Sequence, residues 1–260
     1  GSAMNVFVTL AALQQAVQRP DAANLLLVAG NASRTEEGNG SALEESFQEA
    51  LKNRWKLADT EAGFTGLTNR TVELRTPRIF LDPPIERAAL AADTNAQPLL
   101  TYIANLITLG TNATPYSMVT AAGAPWTPPD LAEDEIVLNQ WLADDLLAEP
   151  GDVVSLVYYD PESGARLVER TNTFRVHSIV PMKLPWADRT LMPEFPGIEE
   201  AETTHDWKGG FPLLHKIRDK DDDYWRQWRG TPKAFITLAA GQRMWGNRFG
   251  RVTAIRFPAG

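Results

Sequence analysis

The chain has 260 residues, 43% hydrophobic and 22% charged, with a net charge of −8; this composition excludes a disordered polymer, and the charge opposes DNA, RNA or any other polyanion as partner. The absence of cysteine removes disulfides, thiolate metal sites and cysteine nucleophiles together, and no apolar run reaches the roughly 18 residues of a membrane helix.

Gly1–Met4, "GSAM", reads as a cloning scar. The following stretch, "NVFVTLAALQQAVQRPDAANLLLVAG", reads as a βαβ unit. Val6–Val8 are β-formers, Thr9 is a helix N-cap, Leu10, Leu13 and Val17 share a helical face, and Asn24–Val28 form an apolar strand. "VFVTLAALQ" at Val6–Gln14 returns as "AFITLAAGQ" at Ala234–Gln242, followed by the strand-like "VTAIRF" at Val252–Phe257. Strand, cap, helix and second strand agree in both copies, so two related modules are expected.

"ALEESFQEALKNRW" (Ala42–Trp55) predicts an amphipathic helix with Leu43, Phe47, Ala50, Leu51 and Trp55 on one side. "TVELRTPRIFLDPP" predicts short strands broken at prolines, and "IERAALAAD" a second helix. "PLLTYIANLITLG" and "YSMVTAAG" predict a strand pair joined across Gly110–Pro115. "APWTPPD" (Ala124–Asp130) reads as a linker. "DEIVLNQWLADDLLAEPGDVVSLVYYD" then runs strand, helix, Gly-Asp turn, strand, with Asn139 as N-cap and Leu142, Leu146 and Leu147 facing the core. "RLVERTNTFRVHSIVPM" continues as one or two strands. Residues 186–215 are irregular and rich in Pro, Gly and aromatics, long enough to be a functional or partner-facing segment that could be removed without unfolding the rest.

"DKDDDYWRQWRGTPKAF" (Asp219–Phe235) raises a metal question. Read as a calcium loop from Asp219, it places Tyr224 where a glycine turn is needed and Gly230 where a glutamate should close the site, so no metal is expected. As a helix it is well specified. Asp221–Asp223 sit at the positive end of the dipole, Asp222 can meet Arg226 and Tyr224 can meet Trp228 at i, i+4, and Gly230 and Pro232 end the turn.

Of the three histidines, His177 reads as a half-buried strand residue. His205 adjoins Asp206, but no nucleophile elbow, zinc helix, phosphate-binding loop or dinucleotide loop accompanies them. A hydrolase using His205 and Asp206 is the weakest reading. The acid groups at Glu133–Glu135 and Glu199–Glu202 suit glycoside chemistry only if two face each other across a cleft. Eight tryptophans, with Trp126, Trp186, Trp207, Trp225, Trp228 and Trp245 in or beside C-terminal loops, fit either a satellite core or a surface that stacks on glycan or peptide.

The Asp134–Asp160 passage resembles the strand, Ala-x-x-Leu helix and Gly-Asp-x-Val strand of extracytoplasmic domains in MacB-like and FtsX-like ABC transporter permeases. The repeated Phe-Val-x-Leu units, "TPYSMV", "DRTLMPEFPGI" and the long block Ile217–Gly250 are similar to the same family, and together these parts span most of residues 5–258. The resemblance implies a MacB-like periplasmic core architecture, α/β (mixed α+β) with mixed sheets; the two related βαβ-containing modules read from the repeat depart from the simplest members of that family. The expected layout is a first module at 5–123, a Pro-rich linker at 124–130, and a second module at 131–260 carrying the irregular insertion 186–215. It further implies a bacterial, non-enzymatic domain on the periplasmic side of the inner membrane. Its partners would be transmembrane helices of the same parent chain, a separate cytosolic ATPase, and a second copy or another periplasmic protein, and no cofactor is implied. Trp186, Trp207, Tyr224, Trp225, Trp228 and Arg229 are the candidate partner-contact residues. The alternative is a cell-surface carbohydrate- or peptide-binding module that uses exposed tryptophans.

Overall fold

The computed structural model describes residues 8–18, 20, 23, 39–67, 71–160 and 167–258, in two compact units, Gly1–Trp55 and Lys56–Gly260. In the first unit α1 (Leu10–Ala16) starts at Thr9, whose hydroxyl accepts from Ala12 N at 3.2 Å, and α2 spans Asn39–Arg54. The apolar face of α1 is exposed at Leu10, Leu13 and Val17, as are Leu51 and Trp55 at the end of α2 and beyond it. Apart from Val8, which belongs to no strand, the strands expected at Val6–Val8 and Asn24–Val28 lie outside the described residues.

The second unit is mixed α/β, and six strands close into a barrel. β3 (Gln97–Leu109) and β4 (Asn112–Ala121) form an antiparallel hairpin at Gly110, whose φ of +57° suits glycine. Next around the ring come β8 (Ala234–Ile236), β5 (Glu135–Asn139), β7 (Glu169–Val180) and β6 (Val153–Tyr159). β6 returns to β3 through Leu106↔Val157, Ile107↔Leu156 and Thr108↔Ser155. β4 and β8 run parallel, as do β5 and β7, and the other neighbours are antiparallel. The first residues of β3 pair instead with β9 (Ala254–Phe257), which carries β2 (Val72–Arg75) and β1 (Gly63–Gly66) as a three-stranded extension.

Two strand-cap-helix units occur inside this unit. In the first, β5 leads into α4 (Gln140–Leu146), where Asn139 Oδ1 accepts from Leu142 N at 2.8 Å. In the second, β8 leads into α6 (Leu238–Trp245), where the Thr237 hydroxyl accepts from Ala240 N at 3.2 Å. Thr9 and Thr237 have nearly the same backbone angles, φ −67°, ψ 146° and φ −62°, ψ 148°, so the cap part of the repeat is reproduced in space. Leu142 and Leu146 face the core, whereas Leu147 takes the left-handed C-cap at φ 56° and is 76% exposed, contrary to the expected inward face.

The largest core cluster joins barrel residues such as Ile107, Val119, Leu138, Leu156 and Ile236 to Leu142 of α4 and Trp245 of α6. Each such side chain contributes about 1.5–3 kcal/mol by leaving water. A separate cluster packs α3 (Pro83–Ala92), which opens on two prolines, against β9 through Ile85, Ala89 and Ile255.

The proline-rich Ala124–Asp130 does not divide this unit. β3 and β4 precede it, β5 to β8 follow it, and all six belong to one ring. Trp126 within it is buried, donates to Pro185 O at 3.2 Å, and its carbonyl accepts from Trp186 Nε1 at 3.0 Å. The boundary between compact units falls instead after Trp55.

Candidate functional site

The irregular segment 186–215 has only two short 3₁₀ turns among named elements, yet it is well packed. Phe195, Ile198 and Trp207 are buried together with Ile103, Tyr116 and Met118 of the barrel and Trp225 of α5 (Asp219–Trp228). Excising it would open a cavity over β3 and β4, so the expectation that it is removable gives way to a structural role.

Of the residues expected at a partner surface, five gather around α5. Trp207 and Trp225 are buried edge-to-face at 4.9 Å, and Trp225 Nε1 donates to Ala201 O at 2.8 Å. Tyr224 is buried against Trp141 at 4.7 Å, accepting from Asn139 Nδ2 at 3.1 Å and donating to Thr231 O at 3.0 Å. Trp228 is half-buried, and Arg229 is exposed, with its guanidinium 5.8 Å from the Trp225 ring. Trp186 lies apart, half-buried against Trp126.

The helix itself is as expected, but its pairings differ because two of its acids are buried. Asp222 accepts from Thr204 N at 2.8 Å and contacts His205 Nδ1 at 2.7 Å, while Arg226 pairs with Asp223 at 2.7 Å. Arg229, not Gly230, takes the positive φ of 53°. Asp206 caps its own turn by accepting from Thr203 N and Oγ1, so the neighbour of His205 in sequence is not its partner in space.

At the N-terminal end of α5 lies a charged group built around the buried Asp145 side chain. Asp145 is held by Arg218 at 2.7 Å, by Thr114 at 2.5 Å and by Lys220; burial works to raise its pKa, and these donors outweigh it and hold the carboxyl below the usual range. Arg218 also holds Asp221 at 2.6 Å. The Lys233 ammonium sits 4.5 Å from the Trp141 ring and 4.7 Å from the Tyr224 ring, and burial lowers its pKa from the ordinary 10.5 to about 8. The folded chain releases this proton before the unfolded chain does. Stability to denaturant should therefore rise as pH passes from about 8 towards 10.5, by on the order of 3 kcal/mol. Lys233→Met should be at least as stable as the parent at pH 7 and lose this rise; a loss of stability at pH 7 would mean that the ring contacts outweigh the cost of burial.

A cavity of about 320 Å³ opens between β3, the 195–211 stretch, the residues Tyr159, Asp160 and Leu167, and the loops at 79–80 and 247–249. Phe80, Tyr102 and Phe195 form one wall with successive ring centroids 5.6 Å apart, and Phe211 faces Tyr159 at 6.0 Å. Asn105, 1% exposed, also lines it. A second cleft of about 420 Å³, lined by Arg75, Arg189, Glu194, Glu199, Trp225 and Arg229 among others, is charged. Burial, followed by the neighbouring Glu194 and Glu200, raises the pKa of Glu199 there. The aromatic cavity draws on widely separated stretches of chain, so no local sequence pattern announces it.

Among the described residues no group of three or more His, Asp or Glu side chains is placed to hold a metal ion, and no helix is long and apolar enough to cross a membrane. Neither the models of known protein families nor the curated proteins give a match to this chain.

Proposed function

We propose that the chain is a non-enzymatic extracytoplasmic domain of a MacB/FtsX-like ABC transporter permease, with a MacB-like periplasmic core architecture. It couples ATP hydrolysis by a separate cytosolic ATPase to the export of a substrate or the handling of a partner outside the membrane. The observation supporting this is that the passages similar to that family form a single continuous assembly. Asp134–Asp160 supplies β5, α4 and β6; Asp188–Ile198 covers β3 and β4; Ile217–Gly250 supplies α5, β8 and α6. Buried side chains tie the cover and α5 to the barrel, which suits a body that transmits motion as a unit.

The test is the parent protein in its native host. It should fractionate with membranes, carry apolar spans flanking this domain, and co-purify with an ATPase subunit. A parent that remains in the soluble fraction and brings down no ATPase would remove the permease reading. The tryptophan platform has less support, since Trp126, Trp207, Trp225 and Trp245 are all buried.

A further inference from the structure

We propose that the aromatic cavity beside β3 binds a small, ring-bearing molecule without negative charge that carries one hydroxyl or N–H donor, received by the Asn105 side-chain oxygen; this goes beyond the permease reading and does not depend on it.

The polar requirement comes from Asn105. Its Nδ2 donates to Glu169 Oε1 at 2.7 Å, and a carboxylate oxygen can only be met by the NH₂ end of the amide. The amide orientation is thereby fixed, and the atom left over is an acceptor. Asn105 Oδ1 is buried and has no hydrogen-bond partner. Leaving such an acceptor unpaired is costly, and native proteins rarely do so without a use for it.

The apolar requirement comes from the walls. Phe80, Tyr102, Phe195 and Phe211 present ring faces and edges, and Leu167 and Phe249, also lining the cavity, are left 48% and 57% exposed to solvent. A volume near 320 Å³ lies in the range of small-molecule sites and holds two or three rings. Charge narrows the class further. Asp160 lines the cavity and Glu169 stands beside Asn105, so a carboxylate, sulfate or phosphate would meet like charge. Arg170, 3.1 Å from Asp160, is engaged there.

N-phenyl-1-naphthylamine, which is neutral, brightens in apolar surroundings and has one N–H, is a direct probe. Titrated into the full chain it should give a saturable, one-to-one rise in fluorescence, displaced by 1-phenylnaphthalene, which lacks the donor. Asn105→Leu should weaken the amine about fivefold, the worth of one net hydrogen bond, and leave 1-phenylnaphthalene unchanged. Phe249→Ala, at an exposed position that does not endanger folding, should weaken both. A non-saturating response, an Asn105→Leu variant that treats the two compounds alike, or a Phe249→Ala variant that binds both as the parent does would each overturn the proposal.

Discussion

Arg256→Ala should destabilise the Lys56–Gly260 unit by about 3–5 kcal/mol, read as a fall in the denaturant midpoint at constant slope. Arg256 is buried on β9 and serves three partners: the Glu73 carboxylate on β2, Asp188 Oδ2 at 2.8 Å and Thr190 Oγ1 at 2.8 Å. Its guanidinium also lies 5.4 Å from the Trp126 ring. The Glu73 side chain is fully buried and shared with Arg75, which reaches on to the Thr190 and Met192 carbonyls. The network thus sews the three-stranded extension to the 186–215 cover. Removing Arg256 takes one counter-charge from Glu73 and leaves Asp188 with Thr190 alone.

The same network makes an acid-sensitivity test. Burial works to raise the pKa of Asp188, but hydrogen bonds from Thr190 and Arg256 and the charge of Arg256 outweigh it and hold the carboxyl below its usual range. A depressed carboxylate contributes stability that is present above the unfolded pKa and lost as pH falls through the lowered folded value. That loss should be smaller in Arg256→Ala than in the parent. A cost under about 1 kcal/mol with an unchanged acid limb would show that the extension is held by apolar packing alone.

Gly241→Leu should cost about 3 kcal/mol or more, against the ordinary expectation that replacing a mid-helix glycine by a better helix former stabilises. α6 lies so close to β4 that a Cβ built at Gly241 would overlap the Cβ of Ala121 and lie 3.7 Å from Ile236 Cδ1. To admit leucine the helix must lift, drawing Met244 and Trp245 out of the barrel core. A thermal midpoint at or above that of the parent would mean that this close approach does not govern stability. The substitution is the one the sequence itself supplies, because Leu13 stands at the matching position of the N-terminal repeat. The repeat therefore cannot take the place of α6 in this barrel without repacking, so a simple exchange of the two copies is sterically barred.

What was legible in the sequence was local. The Asn139 and Thr237 caps, the hairpin of β3 and β4, and α5 with its acidic start all follow from side-chain chemistry within a few residues. What was not legible depended on distant contacts. The parallel pairing of β4 with β8 joins residues more than a hundred positions apart, and no periodicity in either strand selects its partner. The Ala124–Asp130 stretch has the composition of a linker, yet Trp126 anchors it as a packed crossover. His205 and Asp206 are adjacent in the chain, but the acid that reaches the imidazole is Asp222. The aromatic cavity and the Glu73–Arg256 network share this property, since each is assembled from residues that mean little alone.

The strand order also constrains how a nascent chain can fold. β8 fills the gap between β4 and β5, and β9 the gap between β2 and β3, although both are made last. Until about Ile236 has left the ribosome the ring stays open, and until Phe257 follows, β1 and β2 have no sheet to join. Apolar strand edges from most of the domain must therefore wait unpaired, a slow and aggregation-exposed route that makes residues 234–257 the latch of the Lys56–Gly260 unit.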